Sequence, residues 1–156
     1  MCVMPRQRVL IPLRWSDTDA YGHINNVLFL RLIEEARVQA LADKLQPAAD
    51  GPGTALLVAR SEIEHRDPLL FRVAPVTIDL WVTRIGAADL NMGFEILDPP
   101  EAGNAEGAIY AQAELLLVVF DQATKRPRRI TKEERILLES WRDEPIRWWR
   151  RRPSAS

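Results

Sequence analysis

A helix-forming segment that is apolar on nearly every side is the feature that most constrains how this chain can fold. Residues 27–33 read Val-Leu-Phe-Leu-Arg-Leu-Ile, and they open a stretch from Asn26 to Leu45 that is typical of one long helix. A helix with so little polar surface is buried on most sides. A sheet curled around the helix would bury it in this way, and residues 27–33 are too apolar for one small sheet to cover fully.

The rest of the chain provides the strands of such a sheet. One partly alternating segment, residues 6–15, precedes the helix, with Val9, Ile11, Leu13 and Trp15 on one face. Four strand-like segments follow it, at residues 55–65, 76–85, 89–97 and 108–120. Pro12 cannot donate to a ladder, so the first strand is expected at an edge or at a bulge. One strand, one helix and four antiparallel strands form an α+β pattern.

Two local signals complete the order of elements. Gly86-Ala-Ala between the third and fourth strands predicts a hairpin. The sequence Thr131-Lys-Glu-Glu134 is a capping box, which predicts a short helix that ends near Trp141.

The stretch just before the long helix is dense in polar groups. Residues 14–26 read Arg-Trp-Ser-Asp-Thr-Asp-Ala-Tyr-Gly-His-Ile-Asn-Asn. Asn25 or Asn26 can cap the helix, because a side-chain oxygen accepts from the free amides of the first turn. Those amides and the partial positive charge at the helix N-terminus can hold an oxyanion. Asp19 would stand near that end as a base or a nucleophile, whereas Asp17 is expected to have a structural role.

These residues also carry a resemblance to a known family. Asp17, Asp19, Gly22, His23, Asn25 and Asn26, followed by Glu34-Glu35-Ala36-Arg37, are spaced as in one group of enzymes. The pattern resembles the hotdog-fold acyl-CoA thioesterases of the 4-hydroxybenzoyl-CoA thioesterase-like family. The resemblance implies an antiparallel five-stranded sheet wrapped around one long central helix, with a short C-terminal helix added. The loop after Asp19 lacks the Asp-Pro-Ala-Gly-Ile-Val sequence of the aromatic-substrate enzymes, so it looks like the fatty-acyl-CoA branch.

The resemblance also implies a set of site residues. Asp19 corresponds to the catalytic carboxylate, and a backbone N–H near Asn26 would polarise the thioester carbonyl. Residues expected to contribute to oxyanion or substrate binding are Asn26, Asn25, Gly22, His23 and Tyr21. For His23, a role as a base and a role in shaping the loop remain open. His65, Arg66 and Asp67 match a region that lines the neighbouring subunit's site in the family, or they form a solvated turn before Pro68.

The predicted function is hydrolysis of an acyl-CoA thioester to a free acid and CoA. CoA would enter as part of the substrate, and no separate cofactor is expected. Two alternatives stay open, namely a catalytically silent acyl-CoA-binding module and a hotdog enoyl-CoA hydratase. Because hotdog domains pair their sheets edge to edge, we expect a homodimer or a homotetramer.

Composition argues against several other classes. Two histidines and one cysteine leave little for a metal site, and a net charge of −1 gives no general attraction to nucleic acid or anionic membrane. The longest apolar run, Leu115 to Phe120, is too short to span a bilayer. The first residues lack the apolar core of a secretory signal, so the cytoplasm is the expected location.

The length of 156 residues predicts one domain. We place that domain at residues 1–145 and a basic, aromatic C-terminal tail at residues 146–156, which includes Arg147-Trp-Trp-Arg-Arg-Arg152. Such a tail could contact membrane or nucleic acid. The favoured interpretation is a solvated terminal segment whose tryptophans pack on the domain.

Overall fold

A curled antiparallel sheet surrounds the central helix that the sequence predicts. The computed structural model describes residues 5–41, 44–45, 53–100 and 107–149. The elements in this part of the chain are β1 (Gln7–Ile11), α1 (Phe29–Leu41), β2 (Thr54–His65), β3 (Val76–Ile85), β4 (Asp89–Asp98), β5 (Ala108–Asp121), β6 (Arg126–Pro127) and α2 (Lys132–Ser140). The α+β hotdog arrangement is confirmed.

The five long strands lie in the order β1-β3-β4-β5-β2, and every neighbouring pair is antiparallel. β1 and β2 therefore form the two edges, and Pro12 follows directly after the edge strand β1, as expected for a residue that cannot donate to a ladder. The two-residue β6 pairs with the end of β5 and adds a sixth, short strand. The hairpin predicted at Gly86 joins β3 to β4.

The core lies between the inner face of the sheet and α1. Alternate residues of β3, beginning with Val76 and Ile78, are fully buried there and pack with Phe29, Leu32 and Ile33 of the helical segment. Trp15 was expected on this face, but it is 76% exposed. The reason is that the strand ends at Ile11 and Trp15 begins a separate 3₁₀ turn.

The helical segment differs from its prediction at both ends. A 3₁₀ turn spans Asn26–Leu28, so α1 itself begins at Phe29; it ends at Leu41 rather than Leu45. Residues 42–43 and 46–52 lie outside the described part of the chain. Val27 is 77% exposed and Leu30 is 37% exposed. One sheet therefore leaves part of this apolar segment uncovered, as the sequence predicted.

After α2, the chain returns across the outer face of the sheet. Residues 141–149 form this crossing segment, which we call the strap. The Trp81 indole nitrogen donates to the Glu144 carbonyl oxygen at 2.8 Å, and the Gln112 amide donates to the Arg147 carbonyl oxygen at 2.9 Å. Ile146 is only 9% exposed. The described part of the expected solvated tail, residues 146–149, thus packs on the sheet, and residues 150–156 lie outside the described part.

A row of polar residues runs across the outer face beneath the strap. In the strand register, Arg8 lies opposite Asp79, Asp79 opposite Glu95, Glu95 opposite Gln112, and Gln112 opposite Glu64. The row crosses all five long strands. Asp79 and Gln112 are buried, and Asp79 pairs with Arg8 at 2.8 Å. Gln112 and Glu64 bond the strap, at the Arg147 carbonyl oxygen and the Trp149 backbone N–H.

Candidate active site

The polar loop before α1 is held in place by the connection between β2 and β3. The Ile24 N–H donates to the Leu69 carbonyl oxygen at 2.7 Å, and the Phe71 N–H donates to the Gly22 carbonyl oxygen at 3.2 Å. Gly22 has a φ of +76°, in the left-handed region that favours glycine. The loop therefore has a defined shape that depends on a distant segment of the chain.

Asp19 shapes the turn with one carboxylate oxygen. Its Oδ1 atom accepts from the backbone N–H of Tyr21 at 2.8 Å and from that of His23 at 3.1 Å. This contact is the turn-capping role that Asp often has in loops. Among the described residues, none donates a hydrogen bond to the Oδ2 atom. The turn thus fixes the direction of the carboxylate and leaves its second oxygen for a ligand or water.

Asp17 has a different environment. Its side chain is buried and pairs with Arg31 of α1 and with Arg14, whose Nε lies 3.3 Å from Asp17 Oδ2. Its carbonyl oxygen accepts from the Asn25 N–H at 2.9 Å. Arg31 pairs in turn with Glu35 at 2.9 Å, an i,i+4 contact expected from the sequence. Asp17 therefore ties the loop to the helix, which is the structural role expected for it.

The start of the helical segment provides a backbone donor. Asn25 caps the 3₁₀ turn, since its Oδ1 accepts from the Val27 N–H at 3.1 Å. The N–H of Asn26, the first residue of that turn, has no acceptor among the described residues. An amide in this position can bind an oxyanion.

Asp19 and Asn26 line one cleft of about 390 Å³. The loop side of the cleft consists of Asp19, His23, Ile24, Asn25 and Asn26, and the opposite side consists of His65, Arg66, Asp67 and Pro68. Most of the predicted site residues therefore come together. Tyr21 and Gly22 do not line the cleft, and Tyr21 is 83% exposed. The segment from His65 to Asp67 lines the cleft of its own chain, whereas the family resemblance related it to the neighbouring subunit's site.

His65 brings an unpaired imidazole to the cleft. Its Nδ1 atom is buried and has no hydrogen-bond partner among the described residues. The ring packs edge-on against Phe29, with 4.9 Å between the centroids. Burial lowers the pKa of His65 below its usual value, so the imidazole is neutral at neutral pH.

Two features of the site have no clear signal in the sequence. One is the pairing of the loop with residues 69–71, for which an apolar Leu-Leu-Phe run between Pro68 and Arg72 is the only hint. The other is a contact at the cleft rim, where the Arg66 guanidinium carbon lies 5.6 Å from the centroid of the Trp149 ring. These residues are 83 positions apart, so only folding brings them together.

The described residues provide neither a cluster of metal ligands nor a membrane-spanning helix. No group of three His, Cys, Asp or Glu side chains in residues 5–41, 44–45, 53–100 and 107–149 could hold a metal ion. Neither helix in this part of the chain has the length and apolar character required to cross a membrane.

Comparison with known proteins gives one family. The model of the thioesterase-like superfamily matches residues 13–139, which include the loop, the cleft and most of the sheet. No curated protein matches the chain.

Solved structures share the fold. A predicted thioesterase from Bacillus stearothermophilus superposes with a TM-score of 0.74 at 23% identity, covering 90% of this chain and 99% of that one. A thioesterase from Thermus thermophilus, complexed with coenzyme A and Zn, gives 0.69 at 24% identity, with 94% and 100% covered. A protein from Xanthomonas campestris, provisionally assigned as an acyl-CoA thioesterase, gives 0.60 at 29% identity, with 74% and 93% covered.

Proposed function

Because this chain belongs to the thioesterase-like superfamily and is a thioester hydrolase, we propose that its substrate is an acyl-CoA and that Asp19 is the catalytic carboxylate. The Thermus thermophilus thioesterase, complexed with coenzyme A, and the assignment of the Xanthomonas campestris protein favour CoA as the thiol of the substrate. The loop sequence, which resembles the fatty-acyl-CoA branch, favours an aliphatic acyl group.

One observation carries this proposal. Asp19 and Asn26 line the same cleft, and neither Asp19 Oδ2 nor the Asn26 N–H has a hydrogen-bond partner in the described part of the chain. A carboxylate oxygen and an unpaired amide at a helical N-terminus are the two groups that acyl transfer requires, one to promote attack and one to hold the developing oxyanion.

The reaction can follow either of two routes from this arrangement. Asp19 can take a proton from a water molecule that attacks the thioester carbonyl carbon, or it can attack that carbon itself. In the second route, the CoA thiolate departs and the acyl group stays on Asp19 as a mixed anhydride. Water then hydrolyses this anhydride. Both routes place negative charge on the carbonyl oxygen, where the Asn26 N–H can donate to it. Both routes yield the free acid and CoA.

The two imidazoles of the cleft can contact the substrate in either route. His23 and the neutral His65 both line the cleft, so both can contact the acyl or pantetheine part of the substrate. We assign them to substrate binding together with Asn25 and Arg66. Tyr21 and Gly22 act through the shape of the loop, because the Tyr21 N–H holds Asp19 and Gly22 makes the turn.

We also propose that the chain forms at least a homodimer, through the edge strand β2. The middle of β2 is exposed, with Leu57 at 47% and Val58 at 44%. A long apolar edge strand tends to pair with another strand. A second subunit would also be needed to cover Val27 and Leu30. A charged substitution, Leu57→Lys, should shift the mass measured by light scattering toward the monomer, whereas Leu57→Val should leave it unchanged.

A panel of acyl-CoAs tests the function directly. The purified protein is incubated with each thioester and a thiol-reactive dye, and the proposal expects release of free CoA. Binding without release would point to a silent acyl-CoA-binding module. Loss of enoyl-CoA absorbance without free thiol would point to a hydratase. Either of those outcomes would contradict the proposed function.

A further inference from the structure

We propose that Arg66 and Trp149 together bind the nucleotide end of the CoA thioester at the rim of the Asp19 cleft, an inference that rests on the proposed function. Arg66 would pair with a phosphate group, and the Trp149 indole would stack on the adenine base. The strap, which carries Trp149, would then be part of the substrate site.

Arg66 stands between the cleft and the strap. It lines the Asp19 cleft and also a hollow of about 230 Å³ beneath the strap. Its side chain is exposed, and no carboxylate in the described part of the chain forms an ion pair with it. The guanidinium contacts the Trp149 ring, 5.6 Å from its centroid. A guanidinium in this position can bind an anionic part of a ligand that extends out of the cleft.

Trp149 is held by its backbone and exposes its ring. Its N–H donates to Glu64 Oε1 at 2.9 Å, and the same oxygen accepts from the Gln112 amide at 3.1 Å. Gln112 also donates to the Arg147 carbonyl oxygen, so one side chain fixes the last described turn of the strap. The Trp149 residue nevertheless remains 60% exposed. The strap therefore positions an indole at the rim without burying it.

This pair matches the chemistry of a nucleotide. A guanidinium forms paired hydrogen bonds with phosphate oxygens, and a base stacks on an indole face. The thioester of an acyl-CoA lies at one end of the pantetheine arm and the nucleotide at the other. A thioester held between Asp19 and Asn26 therefore places the nucleotide outside the cleft, where the rim contacts it.

Two substrates that share one acyl group can test the proposal. One is the acyl-CoA, and the other is the same acyl group on pantetheine, which lacks the nucleotide. Arg66→Met keeps the length of the side chain without its charge, and Trp149→Ala removes the ring. For each variant we expect KM for the acyl-CoA to rise about tenfold, since one of two nucleotide contacts is lost, with kcat within about twofold. The KM for the pantetheine thioester should not change.

Matched variants separate binding from a general effect on structure. Trp149→Phe keeps an aromatic face and should stay close to the wild type. Arg142→Met removes an arginine from the far end of the strap and should change neither KM. An equal rise in KM for both thioesters, or no rise for the acyl-CoA, would overturn the proposal.

A titration with adenosine 3′,5′-bisphosphate tests the nucleotide site without catalysis. We expect calorimetric binding to the wild-type protein and binding about tenfold weaker in Arg66→Met and Trp149→Ala. Absence of binding to the wild type would overturn the inference. Failure of the wild type to hydrolyse any acyl-CoA would instead reject the proposed function, and the titration would still decide whether Arg66 and Trp149 bind a nucleotide.

Discussion

The Asp19 cleft and the strap differ in whether their polar groups have hydrogen-bond partners. In the cleft, Asp19 Oδ2, the Asn26 N–H and His65 Nδ1 have no hydrogen-bond partner within the described residues. Under the strap, the Trp81 indole nitrogen and the Gln112 amide are both hydrogen-bonded to strap carbonyl oxygens. Both regions are built on the same sheet, so the difference does not come from the fold class.

The comparison supports the proposal that the cleft binds the reacting part of the substrate. A buried polar atom without a partner costs about 1–3 kcal/mol, so a region devoted to stability pairs its polar atoms. The strap does so even for Arg6, whose guanidinium bonds Glu95 at 3.0 Å and Asp143 at 2.6 Å. In the cleft, the buried His65 Nδ1 has no partner among the described residues. Asp19 Oδ2 and the Asn26 N–H, which the proposed reaction uses, are likewise left for a ligand or for water. Substitutions should therefore affect turnover in the cleft and stability under the strap.

Asp19→Asn should give the largest effect. It keeps the size of the side chain and its Oδ1 acceptor but removes the basicity, so turnover should fall by roughly 10²–10⁴. The melting temperature should change little. Asp17→Asn is the matched control, because it removes the same charge from the pair with Arg31. Asp17→Asn should lower the melting temperature and have the smaller kinetic effect. Wild-type turnover in Asp19→Asn would reject the mechanism.

Asn26→Pro should give the second largest effect on turnover. Proline lacks the N–H that we assign to the oxyanion, and loss of one such donor costs about 10²–10³ in kcat. The position tolerates proline, since it is the first of a 3₁₀ turn and Asn25 before it is extended, with φ −60° and ψ 131°. Asn26→Ala retains the N–H and should keep nearly full turnover. Equal kcat values in the two variants would show that the Asn26 N–H does not contact the oxyanion.

Gly93→Ala should show the opposite behaviour to the cleft variants, with a loss of stability and little change in turnover. Gly93 lies beneath the strap, and a Cβ atom there would come within 2.7 Å of the Trp81 ring. Such overpacking costs about 1–3 kcal/mol of unfolding free energy, whereas turnover per folded molecule should stay within a few-fold. In a Trp81→Ala background the same substitution should cost less, because the ring that it meets is gone. Denaturant unfolding of the four proteins measures the coupling.

The smallest effect should be a dependence of stability on pH that comes from His65. Burial lowers the pKa of His65, so the unfolded chain takes up the proton first as the pH falls. The unfolding free energy should therefore decrease as the pH drops below the ordinary value of 6.5. His65→Gln should flatten this decrease. The chain's other histidine gives the control, because His23→Gln leaves the buried imidazole in place. If His65→Gln did not alter the dependence of the unfolding free energy on pH, the assignment would be contradicted.

Much of the fold was predictable because its signals are local. Alternation of apolar residues gave β3 its bounds at Val76 and Ile85, and the capping box at Thr131 was confirmed, with hydrogen bonds of 2.9 and 3.2 Å between Thr131 and Glu134. Both features depend on residues within one element. The prediction was less accurate where two conformations compete, as at Asn26, where a 3₁₀ turn replaces the first turn of the α-helix.

The sequence by itself determined the order of the elements and identified Asp19, Asn25 and Asn26 as a group, because these residues are neighbours in the chain. Only the tertiary structure decided that His65 and Arg66 face Asp19, since the antiparallel pairing of β2 with β5 and the contact of residues 69–71 with the loop bring them there. The course of the strap and the place of Trp149 were likewise decided by folding. A local pattern specifies periodicity along one element, whereas packing and hydrogen bonds between distant segments determine which elements meet.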